Sequence, residues 1–258
     1  MEKSNIGEKI KLLTGSGMWH TREAEGLPSV HLSDGPHGLR KQEEKERQNN
    51  VSLVSTCYPT ASALACSWDV TAAERLGRAV AKEAWNADVA VLLGPGINMK
   101  RSPLCGRNFE YFSEDPFLAG RLGAAYVSAA QGENVAVSLK HFAANNQETN
   151  RQTANSQVDE RALREIYLSA FEYVVKTARP ATIMASYNRL NGYYACENRH
   201  LLTEILREEW GFDGVVISDW GACADLTKAV KAGMDLEMPD SHGIHKSEAK
   251  RSWKTTFL

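Results

Sequence analysis

Helix-forming segments and short apolar segments alternate along most of this chain, and that alternation restricts its fold more than any other feature. In the first such helix Leu76, Val80 and Ala84 form one apolar stripe, and Thr71 and Glu74 have the spacing of a capping box. Further helices are predicted near 117–131, 159–178, 199–209 and 222–231. Strands are predicted at 30–33, 89–93, 135–139, 181–186, 214–218 and around 234–238. Strands that are apolar on both faces and alternate with helices indicate parallel βα units.

Two architectures are built from such units, the doubly wound sheet and the (β/α) barrel. Polar or ionisable residues follow the predicted strands at Asp34, Lys140, His141, Tyr187 and Asp219. A barrel builds its site from the carboxyl ends of several strands. A doubly wound sheet concentrates its site at one switch point, usually with a glycine-rich phosphate loop, and the Gly-Pro-Gly at 94–96 lacks that spacing. We therefore predict an α/β fold of the TIM-like (β/α) barrel type.

Charge and cysteine content exclude several classes of protein. The 258 residues include 30 Lys+Arg against 32 Asp+Glu without a long like-charged block, which argues against a nucleic-acid partner. The 5 cysteines are scattered and lack CxxC spacing, so neither a disulfide framework nor a zinc knuckle is indicated. The first residues alternate charged and apolar types and form no secretory leader. We expect a cytoplasmic protein that does not associate with membranes.

The strongest local motif is the segment 211–220, GFDGVVISDW, in which an apolar strand ends on Asp219 and Trp220. A carboxylate beside a flat aromatic ring suits a sugar, because the carboxylate can attack or stabilise an oxocarbenium-like centre. The simpler interpretation is that Asp219 caps the next helix and Trp220 packs in the core. Local sequence alone does not decide between the two.

Three further motifs carry groups that suit sugar hydroxyls: Asp34 in 33–40, Arg107 in 105–112, and Lys140 with His141 in 138–142. Each motif also has a simpler interpretation. Asp34 fits an Asx-turn, Lys140 fits a surface lysine beside a buried histidine, and Arg107 fits an ordinary ion pair with Glu110 or Glu114. The convergence of all these motifs on one predicted rim favours a common site.

Six segments together resemble the successive blocks of glycoside hydrolase family 3, in the order of that family and closest to its β-glucosidase branch. They are SDGPHGLR at 33–40, GRNFEYFSEDP at 106–116, SLKHFAANNQETNR at 138–151, MASYNRLNG at 184–192, GFDGVVISDW at 211–220 and AGMDLEMP at 232–239. The resemblance implies a barrel-like N-terminal domain, assigned here to residues 1–240. It implies a retaining β-glycosidase that hydrolyses terminal, non-reducing β-linked sugars without a metal or organic cofactor.

The resemblance also implies roles for individual residues. Asp219 matches the catalytic nucleophile. The ligands of the sugar nearest the cleaved bond match Asp34, Arg107, Lys140 and His141, and the aromatic wall matches Tyr187 and Trp220. Because nearby positive charge favours a carboxylate, we expect Lys140 and Arg107 to keep Asp219 ionised.

A retaining glycosidase also needs a second carboxyl group as acid and base. In the family's β-glucosidases that glutamate comes from a following α/β sandwich domain, whereas this sequence ends shortly after the 232–239 block. We therefore expect a barrel incomplete at its C-terminal end, an absent acid/base glutamate, impaired activity, and completion by a separate C-terminal domain or second subunit. Residues 241–258 form a polar, basic tail that suggests truncation or a frameshift, and its His242 and His245 lack an evident third ligand.

Two other functions stay open. A β-N-acetylhexosaminidase of the same family would explain a short chain, but the loop at 142–151, FAANNQETNR, lacks the Pro-Gly-His-Gly character of those enzymes. A non-catalytic carbohydrate-binding remnant would keep the sugar ligands without turnover. Of the remaining segments, 41–50 is predicted to be a solvated loop and the Asn-Gly at 191–192 a tight hairpin.

Overall fold

The computed structural model describes residues 6–42, 51–245 and 247. Within this part of the chain the strands are β1 (Leu32–Asp34), β2 (Val91–Leu93), β3 (Ala136–Phe142), β4 (Asn155–Ser156), β5 (Thr182–Ala185), β6 (Arg189–Leu190), β7 (Tyr193–Tyr194) and β8 (Val215–Ser218). The α-helices are α1 (Ile6–Leu12), α2 (Ala61–Ala65), α3 (Val70–Asn86), α4 (Pro116–Gln131), α5 (Glu160–Ala162), α6 (Ser169–Ala178) and α7 (Leu226–Ala232). Leu163–Tyr167 and His200–Glu209 are π-helical, and Ala195–Glu197 is a 3₁₀ turn.

Five of the strands form one parallel sheet in the order β1-β2-β3-β5-β8. Every neighbouring pair in this sheet is parallel, and helices connect most of the strands. This arrangement confirms the predicted α/β barrel of parallel strands. Because all five strands run the same way, their carboxyl ends lie at one rim.

Two further segments lie between β8 and β1 and are connected by isolated β-bridges. Leu236 pairs with Ile217 of β8, and Glu237 pairs in turn with Thr14. The chain then reaches β1, where the backbone nitrogen of Leu32 donates to the carbonyl of Trp19 over 2.8 Å. The segment predicted as a strand at 234–238 therefore takes part in the barrel as a bridged segment instead of a regular strand.

Apolar side chains fill the inside of the barrel. This inner cluster consists of Leu32, Val91, Leu93, Met184, Ile217, Leu236 and Met238, all at most 8% exposed. A second, larger cluster packs the outer faces of the strands against the helices. The strands are thus buried on both faces, which explains their continuous apolar sequences.

Helices α3 and α4 pack closely because α3 has a glycine at the contact. A Cβ atom on Gly77 would lie 2.4 Å from the backbone oxygen of Tyr126 in α4. Tyr126 is buried, and its hydroxyl donates a 2.6 Å hydrogen bond to the carbonyl of Pro36 in the loop after β1. This contact links the helical layer to the loops at the carboxyl end of the sheet.

Several local predictions need correction. The cap of α3 is Asp69, whose carboxylate accepts from the nitrogen of Thr71, so the helix begins at Val70 and Thr71 lies inside it. Strand β3 continues to Phe142, beyond its predicted end at residue 139, because it goes on pairing with β5 after a register shift. The short helices α1 and α2 were not predicted, because each is too short to show a helical period.

The hairpin at 191–192 is confirmed, since it joins β6 and β7 in an antiparallel pair that β4 extends to a small sheet. The loop predicted at 41–50 falls mostly outside the described residues, which omit 43–50. The tail predicted at 241–258 also lies largely outside them, since 246 and 248–258 are not described. None of the described helices combines the length and the hydropathy needed to cross a bilayer.

We predict that Gly77→Ala destabilises the protein by about 1–3 kcal/mol, because the added methyl group forces α3 away from α4. Urea unfolding followed by circular dichroism measures the change. Gly120→Ala in α4 is the matched control, since a Cβ there would lie an ordinary 3.4 Å from its nearest neighbour. Its free energy of unfolding should stay within about 1 kcal/mol of the parent or rise. Equal destabilisation by both variants would contradict the close-packing argument.

Candidate active site

The carboxyl rim of the barrel brings the predicted site residues together. Asp34 ends β1, Lys140 and His141 lie near the end of β3, and Asp219 directly follows β8. Tyr187 comes two residues after the end of β5. Parallel pairing of these strands places residues that are more than a hundred positions apart within contact distance.

Asp219 is buried at this rim, with 7% of its surface exposed. Its backbone nitrogen donates to the carbonyl of Ala185 over 2.8 Å, and its Oδ1 accepts from the nitrogen of Trp220 over 2.7 Å. Its Oδ2 is buried and has no hydrogen-bond partner among the described residues, and it lies 3.8 Å from Nε2 of His141. The next helix, α7, is capped by Asp225. Asp219 therefore does not serve as a helix cap.

Burial raises the pKa of Asp219 above its ordinary value of 3.8. The backbone hydrogen bond from Trp220, the positive charges of Arg107 and Lys140, and the nearby Tyr187 hydroxyl oppose this shift without cancelling it. Arg107 and Lys140 thus favour the ionised carboxylate, which is the direction expected from the sequence, but their effect on the pKa is smaller than that of burial. Loss of water around the carboxylate outweighs the attraction of the cations.

His141 is buried and held from several directions. Its backbone nitrogen donates to Oδ1 of Asn98 over 2.7 Å, and its carbonyl accepts from Nδ2 of Asn98 over 2.8 Å. The hydroxyl of Tyr111 lies 3.1 Å from its Nδ1. Burial lowers the pKa of His141 well below 6.5, and the charges of Arg107 and Lys140 lower it further. The ring is therefore neutral, with Nε2 facing Asp219.

Lys140 and Arg107 are joined by one carboxylate. Oε1 of Glu110 lies 2.9 Å from Nζ of Lys140, and Oε2 lies 2.6 Å from Nη2 and 2.8 Å from Nε of Arg107. Burial alone would raise the pKa of Glu110, but the two cations outweigh it and bring the pKa down to about 2. The ion pair of Arg107 with Glu110 therefore exists, and it belongs to the site because it also holds Lys140.

Asp34 lies at the outer edge of this group, with 36% of its side chain exposed. Its Oδ1 is 3.7 Å from Nζ of Lys140. Its carbonyl accepts from the nitrogen of Arg40 over 2.9 Å, which closes the turn formed by the first motif. The Asp34 carboxylate thus lies between solvent and the buried pair of Lys140 and Glu110.

Aromatic side chains line the side of the site near Asp219. The hydroxyl of Tyr187 donates to the carbonyl of Trp220 over 2.9 Å. The Trp220 ring lies 5.2 Å from that of Trp19, and its Nε1 donates to the carbonyl of Met18 over 2.9 Å. The guanidinium of Arg151 stacks 4.3 Å from the Tyr187 ring. Trp220 is only partly buried and packs against the edge of the inner cluster, so it lies between that cluster and the rim.

Sequence reasoning missed five side chains that shape the site: Trp19, Asn98, Glu110, Tyr111 and Arg151. Glu110 was named only as a partner of Arg107, although its position three residues later in an aromatic segment could have indicated a buried pair. Asn98, Tyr111 and Arg151 act on their neighbours through tertiary contacts, and no local pattern marks them. Trp19 lies 201 positions from its ring partner, so sequence spacing gives no signal for it.

Solved structures of other proteins share this architecture. β-Glucosidase 3B from Thermotoga neapolitana, in complex with glucose, matches with a TM-score of 0.93 and 40% identity over 99% of this chain and 39% of that chain. A family 3 β-glucosidase from Bifidobacterium adolescentis matches with a TM-score of 0.91 and 45% identity over 99% of this chain and 37% of that chain. Both resemblances extend over nearly all of the present chain.

Curated relatives are also similar in sequence. Thermostable β-glucosidase B from Acetivibrio thermocellus is 53% identical over 95% of this chain and 33% of its own length. Exo-α-(1→6)-L-arabinopyranosidase from Bifidobacterium longum is 50% identical over 92% of this chain and 32% of its own length. The chain spans about a third of the length of these relatives. The family model for the glycosyl hydrolase family 3 N terminal domain matches residues 36–251, and the chain therefore belongs to glycosyl hydrolase family 3.

Proposed function

We propose that this barrel binds the terminal, non-reducing sugar of a β-glucoside and forms a covalent glycosyl-enzyme through Asp219. The observation that carries the proposal is the buried Oδ2 of Asp219, which has no hydrogen-bond partner in the described part of the chain. An unpartnered carboxylate oxygen is costly to bury, so such an oxygen at a barrel rim points to a reacting atom. The β-glucosidases among the relatives support the substrate class.

In the proposed first step, Oδ2 of Asp219 attacks the anomeric carbon and a carbon–oxygen ester bond forms. The bond from the anomeric carbon to the leaving group breaks, and its electron pair departs with the leaving oxygen. The leaving oxygen takes a proton from the acid/base carboxyl. Water then attacks the anomeric carbon and gives a proton to that carboxylate, the ester bond breaks, and the carboxylate of Asp219 is restored. Two inversions give net retention of configuration.

The groups around Asp219 suit the hydroxyls of one sugar ring. The Lys140 ammonium has three N–H groups, of which Glu110 binds one at 2.9 Å, whereas Asp34 at 3.7 Å lies beyond hydrogen-bond distance; N–H groups therefore remain available for sugar hydroxyls. The carboxylate of Asp34 can accept from sugar hydroxyls, and Nε2 of the neutral His141 faces the same space. Trp220 and Tyr187 provide apolar faces for the C–H surface of the ring. We assign sugar binding to these residues and to Arg107.

Among the described residues, neither of the other two carboxyl groups placed at this site suits the second, acid/base role. Glu110 belongs to the site, but both of its oxygens are bound by cations and its pKa of about 2 makes it a poor proton donor. Asp34 is engaged with Lys140 at the solvent edge. We therefore propose that the acid/base carboxyl is supplied by a separate domain or a second subunit.

The identity of the sugar has a second candidate. The relative from Bifidobacterium longum is named for action on α-(1→6)-linked L-arabinopyranose. In α-L-arabinopyranosides the anomeric bond is equatorial, as in β-glucosides, so the same nucleophile and hydroxyl ligands could serve both. Parallel assays with aryl β-glucoside and aryl α-L-arabinopyranoside distinguish these two candidates.

We also propose a cytoplasmic location. All five cysteines are free in the described structure, and Cys57 and Cys66 are exposed. A reducing compartment keeps exposed thiols unpaired, which supports this location.

The proposed nucleophile is tested with an activated 2-deoxy-2-fluoro-β-glucoside, because such a reagent needs a nucleophile but little assistance from an acid. We predict one added glycosyl mass on the native chain by intact-protein mass spectrometry and none on Asp219→Asn. Asp213→Asn is the matched control, because Asp213 lies on the surface, paired with Arg179. It should label like the native chain. An unlabelled but folded native chain, or a labelled Asp219→Asn variant, would contradict the proposal.

The raised pKa of Asp219 predicts the pH dependence of labelling. Only the ionised carboxylate attacks, so the labelling rate should fall as the pH falls through the Asp219 pKa. Lys140 lowers that pKa. In Lys140→Met the midpoint of the rate profile should therefore move to higher pH, whereas Lys231→Met, on the exposed side of α7, should leave it in place. An unchanged or lower midpoint in Lys140→Met would argue against Asp219 as the titrating group.

The bridge through Glu110 predicts a stability effect. We expect Glu110→Gln to lower the free energy of unfolding by about 3–5 kcal/mol, because it removes the carboxylate shared by two buried cations and leaves Lys140 with only the Asp34 carboxylate at 3.7 Å. The folded pKa of about 2 lies below the ordinary 4.5, so this stabilisation is complete above about pH 4.5 and is lost as the pH falls towards 2. Urea unfolding at a series of pH values measures both effects.

The control for this experiment is Glu172→Gln, which breaks an exposed pair with Lys176. Exposed pairs of this kind contribute about 0.3–0.5 kcal/mol. If the two variants lost similar stability, Glu110 would not be the anchor of Lys140 and Arg107.

A further inference from the structure

Three potential metal ligands meet outside the cluster described above. Sγ of Cys223, a carboxylate oxygen of Glu237 and a ring nitrogen of His245 all lie within 4.8 Å of one another. In the sequence, His242 and His245 are two potential metal ligands close together, and no third ligand is evident near them. The fold supplies the missing ligands from two other segments, and neither of them is His242.

The backbone around this cluster is well anchored. Glu237 belongs to the segment that closes the barrel: its nitrogen donates to the carbonyl of Leu13 over 2.8 Å, and its carbonyl accepts from Gly15 over 2.9 Å. Its Oε1 contacts Nδ1 of His245, and its Oε2 accepts from the hydroxyl of Ser241 over 3.3 Å. The carboxylate is thus held by two polar neighbours, one on each oxygen.

Cys223 approaches from the loop after β8. The turn before it is closed by a 2.9 Å hydrogen bond from the nitrogen of Ala222 to the carbonyl of Asp219. Cys223 and Glu237 are 4% and 2% exposed, whereas the side chain of His245 is 21% exposed. The cluster is therefore buried on two sides and opens to solvent along the histidine.

The charge of this region suits a cation. The carboxylates of Glu237, Glu197 and Asp225 all lie near enough to act on the Cys223 thiol. Their negative charge favours a divalent cation at this place.

We propose that Cys223, Glu237 and His245 bind a zinc ion, with water in the fourth position. Thiolate, carboxylate and imidazole are the ligand types that zinc prefers. Ligand atoms around a tetrahedral zinc lie roughly 3.4–3.6 Å apart, so side-chain shifts of about 1 Å bring the three atoms into place. The ion would tie the loop that carries Asp219 and Trp220 to the segment that closes the barrel, and so stabilise the rim.

The test uses the whole chain without an affinity tag, first freed of metal and then titrated with Zn²⁺ and, separately, with Co²⁺. We expect one metal per chain, a higher melting temperature with zinc, and a near-ultraviolet thiolate-to-cobalt charge-transfer band. Cys223→Ser should remove that band, and His245→Ala should lower zinc affinity by about tenfold or more. Because His245 lies near the surface, its variant is expected to fold, as circular dichroism would verify.

Two matched variants serve as controls. His242→Asn changes the neighbouring histidine and Cys57→Ser removes an exposed thiol, and both should bind metal like the parent. The proposal is overturned if the parent takes up no stoichiometric zinc, if the cobalt band survives in Cys223→Ser, or if folded His245→Ala binds zinc as tightly as the parent.

Discussion

Parallel backbone pairing of the strands is the constraint on which the rest of this protein depends. Since β1, β2, β3, β5 and β8 all run in one direction, every residue that follows a strand is delivered to the same rim. The two residues of β3 that enter the site, Lys140 and His141, lie where its register against β5 shifts between Leu139 and Phe142. Strand direction and register alone therefore place these residues at one rim, and side-chain interactions then act on residues that are already close together.

At that rim two buried carboxyl groups, Glu110 and Asp219, differ in their contacts and in their pKa. Glu110 has a cation on each oxygen, which keeps it ionised and fixes Lys140 and Arg107. Asp219 shares the influence of the same cations at longer range, keeps one oxygen unpartnered, and has a raised pKa. Glu110 is therefore a fixed counter-ion for the two cations, whereas Asp219 keeps an oxygen available for another partner. The pKa of each carboxyl group follows from its own contacts and burial.

The segments that close the barrel also contact residues near Asp219. Segments near Thr14 and Glu237 complete the ring between β8 and β1. Trp19, just beyond the first of these segments, packs against Trp220, and Glu237 in the second contacts His245. In the loop after β8 itself, the nitrogen of Gly221 donates to the carbonyl of Met238 over 2.8 Å, so segments from both ends of the described chain support this loop. A bound zinc ion at the proposed cluster would strengthen this support without contacting the residues that are proposed to bind the sugar.

Much of the fold was predictable because its signals are local. Apolar runs located the five strands of the sheet, and polar residues at their ends identified Asp34, Lys140, His141 and Asp219 as rim residues. Errors arose where local patterns compete: Asp69 caps α3 although Thr71 and Glu74 have capping-box spacing. Short helices such as α2 gave no periodic signal, because five residues make little more than one turn.

The sequence by itself therefore determined the order and type of the main elements, and which residues follow each strand, because both depend on neighbours along the chain. Tertiary structure alone decided that Glu110 joins Lys140 to Arg107, that Asn98 holds His141, and that burial raises the pKa of Asp219. It also brought Cys223, Glu237 and His245 together. Those outcomes depend on distances and on the exclusion of water between segments far apart in sequence, which no local spacing encodes.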